Sequence, residues 1–334
     1  MTIAVAIVAF EDAQILDIAG PMEILRSANL ALKAQHAGAS PAYAKSIVAN
    51  RKGPVRTSCG LAIVATDSFA TASRDVDTLI VAGGIMDAAL GDAALLDYVR
   101  ECAPRARRVA AIGTGTFVLA VAGLLEGRQA TTHWRACSKL AERFPGVRVR
   151  FDQLLVQDGK LLTSAGASAA LDQTLALVEE DLGREIAMAV AHRKVMFLRR
   201  TGGESQVSAH LAAQMVGHEG IAKLTAWILA NIAKDIDVDM LAEKSAMSTR
   251  SVARLFTREV GMSPARFIER SRVEVARRLL EESDLRIEAI ARRAGLGSEE
   301  RLRRAFRRCL GVSPREYRGA HPLAAEPAAP TWLG

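Results

Sequence analysis

Arginines are concentrated near the end of this 334-residue chain, and their spacing suits contact with an acidic polymer. Residues 250–318 hold 18 arginines and no lysine against 10 acidic residues, whereas the whole chain has a formal net charge of only +7. Guanidinium groups donate paired hydrogen bonds to phosphates and to guanine edges. Arg250, Arg254 and Arg258 recur every four residues, which places them on one ridge of a helix. The pattern predicts a nucleic-acid-binding surface, and the alternative is a solvated helical face.

A second set of candidate residues lies in the first half of the chain, where two apolar runs end in glycine. Gly83-Gly84 follows one run, and Gly113-Thr114 follows the other. Backbone N–H groups at such turns can hold a carboxylate or another anion. The alternative is that these glycines serve only tight turns. The sequence after Gly113 does not complete a GxGxxG pattern, so no dinucleotide or other cofactor is implied.

His133 and Trp134 follow these turns and could offer a ligand a hydrogen bond and an aromatic wall. The alternative is that both side chains merely pack in the core.

The four cysteines, at positions 59, 102, 137 and 309, are far apart and show no CxxC spacing. Scattered thiols are typical of a reducing cytoplasm and argue against a metal site. We expect each of the four to be a small buried apolar residue. No run of about 18 uncharged apolar residues occurs, so no membrane-spanning helix is expected.

Strand-like and helix-like patterns alternate over the first 180 residues, as in a mostly parallel sheet covered on both faces. The strands are predicted at 3–10, 42–48, 61–64, 78–82, 109–112, 154–156 and 161–163. The helices are predicted at 22–32, 117–122, 169–182 and 184–198. Folds of this kind bind ligands at the carboxyl ends of their strands, where the glycine turns lie.

The C-terminal part reads as helix throughout and contains an internal repeat. Arg254, Phe256 and Ser263-Pro264 recur 50 residues later as Arg304, Phe306 and Ser313-Pro314. Each copy consists of a short helix, a tight turn, a second helix capped by serine, and Gly-x-Ser-Pro. In the first copy the helices are predicted at 238–246 and 249–260, and a connecting helix follows at 264–280. The arrangement predicts two helix-turn-helix units that reach successive major grooves.

These residues resemble the DNA-binding domain of the AraC/XylS family over 221–318. The first copy reads Leu-Ala-x3-Ala-Met-Ser-x-Arg-x3-Arg-x-Phe-x4-Gly-x-Ser-Pro, and the second ends in Phe-x4-Gly-Val-Ser-Pro-x2-Tyr-Arg. The resemblance implies two recognition helices. Arg250, Ala253 and Arg254 of the first would face bases, and so would Glu299, Glu300, Arg301 and Arg304 of the second. Ser251 and Arg258 complete the predicted DNA-binding residues. Ala253 stands where the family often has a longer polar side chain. Glu299 and Glu300 could accept from cytosine or could only favour the helix dipole.

The first half resembles the DJ-1/PfpI class of the glutamine-amidotransferase-like superfamily over 3–182. The resemblance rests on Leu-Asp-Ile-Ala-Gly-Pro at 16–21, Val-Ala-Gly-Gly at 81–84, Ile-Gly-Thr-Gly-Thr-Phe at 112–117 and Thr-Thr-His-Trp at 131–134. It implies a flavodoxin-like fold. Enzymes of the superfamily carry a nucleophilic cysteine on a sharp turn between strand and helix, where this chain has Gly113. The resemblance therefore implies no catalytic residue and a ligand pocket formed by Asp17, Gly83, Gly84, Gly113, Thr114, His133 and Trp134.

The order of the two resemblances is that of the GlxA subgroup of transcription regulators. We expect a ligand-sensing domain at 1–198, a linker at 199–217, a DNA-binding domain at 218–319 and a disordered tail at 320–334. The implied function is a cytoplasmic, homodimeric regulator that binds promoter DNA under control of a small nitrogenous metabolite. Activation through RNA polymerase is favoured over repression. The alternatives are a DJ-1/PfpI-type hydrolase with a DNA-binding appendage and a non-specific nucleic-acid binder.

Overall fold

The computed structural model describes residues 2–36, 38–151, 153–196, 206 and 216–320. The chain divides into two compact units, Met1–Gln206 and Val207–Gly334. Most of the predicted linker and nearly all of the predicted disordered tail lie outside the described residues. Gln206, which falls within the predicted linker, belongs to the first unit. Among the described residues, no helix is long and apolar enough to cross a membrane.

The first unit is built on eleven strands among the residues described. They are β1 (Ile3–Val8), β2 (Tyr43–Ala49), β3 (Gly53–Arg56), β4 (Ala62–Ala65), β5 (Asp67–Ser68), β6 (Thr78–Val81), β7 (Arg108–Ile112), β8 (Gln129–Ala130), β9 (Arg148–Val149), β10 (Leu155–Asp158) and β11 (Leu161–Ser164). Seven of them form one sheet in the order β10-β11-β7-β6-β1-β2-β5. All neighbours in this sheet are parallel except β10 and β11, which form an antiparallel hairpin.

Five α-helices accompany these strands: α1 (Ile15–Gln35), α2 (Ala93–Cys102), α3 (Thr116–Val121), α4 (Cys137–Arg143) and α5 (Ser168–Arg193). Every residue of β6, β7 and β11 is buried, so both faces of the sheet centre are covered. The α/β fold class with a mostly parallel sheet is thereby confirmed.

Helices α2 and α4 were not predicted from the sequence, and two of the predicted helices differ in extent. α1 begins at Ile15, seven residues before the predicted start, and carries Pro21 inside it. Burial of its first turn, which includes Asp17 and Ile18, outweighs the hydrogen bond that proline cannot donate. α5 runs through the predicted break, but Gly183 leaves the helical conformation at φ 83° and ψ 168°. The break is therefore a kink at the glycine.

The second unit contains seven helices among the residues described. They are α6 (Glu219–Ala230), α7 (Val238–Lys244), α8 (Thr249–Val260), α9 (Pro264–Glu282), α10 (Ile287–Arg293), α11 (Glu299–Leu310) and α12 (Pro314–Ala320). α7 and α8 form the first helix-turn-helix, and α10 and α11 form the second. The connecting helix α9 packs against both α8 and α11. The predicted helical domain with two such units is confirmed.

The sequence repeat is also a repeat of packing. Phe256 and Phe267 meet edge to face with ring centroids 5.5 Å apart, and Phe306 and Tyr317 do the same at 5.8 Å. Both pairs are buried and join a recognition helix to the helix that follows it. Such pairs add to the energy of apolar burial in each unit.

The turns between the paired helices differ in length by one residue and in the residue at their left-handed position. Ala246 and Gly295 occupy equivalent positions, and both have left-handed backbones, with φ of 52° and 75°. The first copy thus holds an alanine in a conformation that normally favours glycine.

Candidate functional site

The predicted ligand-binding crevice of the first unit is the region around the turn at Gly113, between β7 and α3. Gly113 has a left-handed φ of 54°. A Cβ added there would lie 3.1 Å from the Gly166 Cα and 3.6 Å from Asp17 Oδ2. The Thr132 hydroxyl donates to the Gly113 carbonyl at 2.8 Å. A side chain at position 113 would thus project between α1 and the start of α5, and glycine supplies no reactive atom there.

Asp17 lies beside this turn and is only 2% exposed. Its Oδ2 accepts from the Gly83 N–H at 2.9 Å, and its Oδ1 accepts from the Ala167 N–H at 2.8 Å. Burial raises the pKa of the Asp17 carboxyl to about 6, against the lowering effect of these two amides. The side chain ties the loop after β6 to the start of α5, beside the predicted crevice.

Gly83 and Gly84 do not offer their amides to a ligand. The Gly83 N–H donates to Asp17, and the Gly84 N–H donates to the Thr114 hydroxyl at 2.8 Å. A Cβ added at Gly83 would lie 2.7 Å from the Ile112 carbonyl oxygen. A Cβ added at Gly84 would lie 2.5 Å from the Asp12 carbonyl oxygen. Both amides therefore already have partners within the fold, and an anion would bind them only by displacing Asp17 or Thr114.

The hydroxyl of Thr114 also has its hydrogen bonds within the fold. It accepts from the Gly84 N–H and donates to the Gly84 carbonyl at 2.9 Å. A hydroxyl that bonds both the N–H and the carbonyl of one residue is poorly placed to attack a substrate, because its proton is donated to that carbonyl and not to a base.

His133 and Trp134 stand at the rim of the fold, before α4. The His133 Nδ1 accepts from the Arg135 N–H at 3.3 Å, so in the neutral ring Nε2 carries the proton and can donate. Burial and the nearby Arg135 charge lower the pKa of His133. Trp134 is 45% exposed, and the Arg135 guanidinium lies over its ring at 4.8 Å. Trp134 is therefore not a core residue.

Gln206 reaches the same region from the end of the first unit. Its Nε2 donates to the Thr132 carbonyl at 2.8 Å, the Gln153 carbonyl at 3.1 Å and the Thr131 hydroxyl at 3.2 Å. Its Oε1 is buried without a hydrogen-bond partner among the described residues. Thr132 therefore contacts Gly113 through its hydroxyl and Gln206 through its carbonyl. No residue pattern predicts this contact, because the partner atoms are mostly backbone.

The cysteines only partly follow the prediction of buried thiols. Cys102 and Cys137 are buried, but Cys309 is partly exposed and Cys59 is fully on the surface. The Cys137 thiol points to the Thr132 carbonyl at 3.5 Å, away from a nucleophile's position. A hydrogen bond with the Thr57 hydroxyl lowers the pKa of Cys59. The prediction was wrong for Cys59 because its loop between β3 and β4 lies outside the main sheet.

The first recognition helix, α8, presents the predicted arginine ridge. Ser248 caps it by accepting from the Ser251 N–H at 3.2 Å, and Gly261 ends it. Val252, Phe256 and Val260 are buried on its inner face. The side chains of Arg250, Arg254 and Arg258 are exposed, and Arg258 pairs with the adjacent Glu259 at 2.9 Å, whereas Ser251 is half-buried in the first turn.

Arginines of the second recognition helix, α11, form ion pairs with a glutamate in its first turn. Glu300 pairs with Arg303 at 2.8 Å and with Arg304 at 3.0 Å. Glu299 pairs with Arg315 at 2.8 Å. Both glutamates lie in the first turn, where the helix dipole favours them. These contacts support the alternative in which the two glutamates stabilise the helix.

Comparisons with known proteins agree with this architecture. The chain matches the DJ-1/PfpI family over residues 3–180 and a helix-turn-helix domain over residues 241–320. It is 30% identical to the HTH-type transcriptional regulator GbdR of Pseudomonas aeruginosa over 250 residues, which cover 74% of this chain and 67% of GbdR. It is 28% identical to the HTH-type transcriptional regulator GlxA of Rhizobium meliloti over 307 residues, which cover 91% of this chain and 92% of GlxA.

An enzyme and a solved structure also match. Isonitrile hydratase of Pseudomonas putida is 32% identical over 191 residues, which cover 57% of this chain and 77% of that enzyme. The crystal structure of a ThiJ/PfpI family protein from Pseudomonas syringae has a TM-score of 0.53 at 24% identity, and the match covers 73% of this chain and 89% of that one. The structural match supports the fold. The chain belongs to the DJ-1/PfpI family, among the transcriptional regulators that join this domain to a DNA-binding helix-turn-helix domain.

Proposed function

We propose that this protein binds promoter DNA through both helix-turn-helix units and that a small metabolite in the crevice of the first unit controls this binding. The observation that carries the proposal is the pair of equivalent recognition helices, each capped by serine and lined with exposed arginine. The proposed DNA-binding residues are Arg250, Ser251, Arg254 and Arg258 on α8 and Arg301 and Arg304 on α11. Glu299 and Glu300 act on α11 itself, through their ion pairs.

The test is binding to a promoter fragment compared with random DNA of equal length at a fixed salt concentration. A specific regulator is expected to prefer the promoter by roughly 10³-fold or more. Equal affinity for both DNAs would favour the non-specific binder instead.

The proposed effector is a small nitrogenous metabolite that contacts His133 and Trp134 above the turn at Gly113. The His133 Nε2 supplies a donor, and the exposed Trp134 ring supplies an aromatic surface that now carries the Arg135 guanidinium. Asp17, Gly83, Gly84 and Thr114 shape the crevice through their internal hydrogen bonds. A thermal-shift screen of amines and amino acids is expected to find a ligand that raises the melting temperature.

A hydrolase remains the second candidate because isonitrile hydratase is a relative. The turn at Gly113 and the engaged Thr114 hydroxyl speak against it. The experiment incubates the purified protein with amide, glyoxal and isonitrile substrates. We expect no turnover of these substrates. Turnover that is lost in Cys59→Ser would overturn the proposal that the crevice binds an effector without catalysing a reaction.

Gln206 provides the proposed route from the crevice to the rest of the chain. Because Thr132 contacts both Gly113 and Gln206, a ligand that shifts Thr132 also shifts the last described residue of the first unit. Gln206→Ala removes the two N–H donors that are shared among these three acceptors, and each hydrogen bond is worth about 0.5–1.5 kcal/mol. We expect promoter affinity to depend less on the first ligand found in the thermal-shift screen.

The measurement is promoter affinity with and without that ligand. Gln153→Ala is the matched control, because the backbone carbonyl of Gln153 that receives Gln206 stays in place. An unchanged ligand effect in Gln206→Ala would contradict this route.

We further propose that the protein is a cytoplasmic homodimer that activates transcription through RNA polymerase. The hairpin of β3 and β4 lies outside the main sheet and exposes Leu61 by 62% and Val64 by 66%. Burial of these side chains against a second copy would stabilise a dimer.

Val64→Glu is expected to shift the mass found by light scattering toward the monomer. Lys52→Glu, one residue before the same hairpin, should leave the mass unchanged, and dimers in both variants would place the interface elsewhere.

A further inference from the structure

An arginine-lined groove lies in the second unit between α9 and α11. Its volume is about 310 Å³. The charged residues that line it are Glu269 and Arg272 of α9 and Arg301, Arg304 and Arg308 of α11. Four guanidinium groups thus face one carboxylate, and the groove favours an anionic occupant.

The floor of the groove is fixed. Arg272 is buried, and its Nε donates to the Ile232 carbonyl at 3.2 Å while its Nη2 donates to the Lys234 carbonyl at 2.6 Å. These bonds hold the guanidinium in place before any ligand arrives. The remaining arginines of the groove are exposed along one side of α11, three and four residues apart.

Glu269 is the one acidic residue among those that line the groove. Its carboxylate forms an ion pair with Arg308, which links α9 to α11. The Glu269 side chain is 30% exposed and that of Arg308 is 60% exposed, so the pair is open to exchange with solvent ions. In the free protein this carboxylate takes the position that an external anion would take against Arg308.

We propose that the groove receives a phosphate of the DNA backbone and that Glu269 competes with this phosphate for Arg308. The inference rests on the proposed DNA-binding function. Arg301 and Arg304 belong both to the groove and to the exposed face of α11, so the groove opens toward the DNA that this helix meets. Glu269 thereby weakens binding to DNA of any sequence, because every duplex presents the same phosphates.

Glu269→Gln tests the proposal in the full-length protein. The amide keeps the shape of the side chain but removes its charge. We expect affinity for promoter and random DNA to rise about 3- to 10-fold, and the slope of log K against log salt to steepen by about 0.9, the value for one more neutralised phosphate. Glu288→Gln is the matched control, because Glu288 is an exposed residue of α10 that pairs with Arg292 and does not line the groove.

A second variant separates local competition from general charge. In an Arg308→Ala background, Glu269→Gln should lose its effect, since the two residues act on one contact. A gain that persists without Arg308, or that Glu288→Gln equals, would overturn the proposal. Inorganic phosphate at constant ionic strength should not displace the DNA, and displacement at millimolar phosphate would assign the groove to a free anion. Equal affinity of the unmodified protein for promoter and random DNA would instead refute the proposed function.

Discussion

Gly295→Ala is expected to destabilise the second unit by about 2–5 kcal/mol. The new Cβ would press on the Ile232 carbonyl oxygen and lie 2.9 Å from the Arg272 Nε. It would also occupy a backbone with φ of 75°, which costs an L-residue about 1–2 kcal/mol. Crowding against fixed backbone adds about 1–3 kcal/mol. Urea unfolding of the full chain measures the loss, and hydrogen exchange in peptides from α10 and α11 locates it.

The equivalent residue of the first copy provides the control for this prediction. Ala246 is exposed and already has a left-handed backbone, so Ala246→Gly relieves strain without removing packing. We expect unchanged or slightly higher stability, by up to about 1 kcal/mol. Equal destabilisation by both substitutions would show that glycine at position 295 is not needed for close packing.

Arg254→Ala and Arg304→Ala should each weaken specific promoter binding by about 1–3 kcal/mol, which is roughly 5- to 150-fold. These residues occupy equivalent positions on α8 and α11 and are exposed. We expect the larger loss for Arg254. Arg304 must first break its ion pair with Glu300. The free energy lost with this pair offsets part of what Arg304 gains from its contact with DNA.

The measurement is a titration of promoter and random DNA at one salt concentration. Arg292→Ala is the control, because it removes an exposed arginine of α10 outside the recognition helices. Its effect should be small and equal for both DNAs. Unchanged promoter footprints in both Arg254→Ala and Arg304→Ala would remove these residues from the proposed interface.

The sequence allowed the architecture of both units to be predicted because the relevant signals are local. The two copies of Arg-x-Phe-x4-Gly-x-Ser-Pro each specify a helix, its glycine end and the next serine cap. Buried strands read as continuous apolar runs, and the turn at Gly113 follows directly from one of them. The start of α1 was missed because tertiary burial of Asp17 stabilises a turn that Pro21 disfavours.

The contacts of the candidate sites were harder to predict because they join distant residues. Asp17 meets Gly83 and Ala167, which are 66 and 150 residues away. Glu269 meets Arg308 across 39 residues. Such pairs leave no periodicity in the sequence, so the glycine pattern at 83–84 does not reveal that both amides have partners in the fold.

The left-handed turn at Gly113 has a consequence for the balance between stability and activity. A side chain at this position would hold the backbone in a conformation that costs about 1–2 kcal/mol, as strained residues in active sites commonly do. Glycine adopts the same turn without that cost. A regulator that needs only the shape of the crevice can therefore keep the architecture of an enzyme. It avoids the loss of stability that a nucleophilic side chain at the turn would cause.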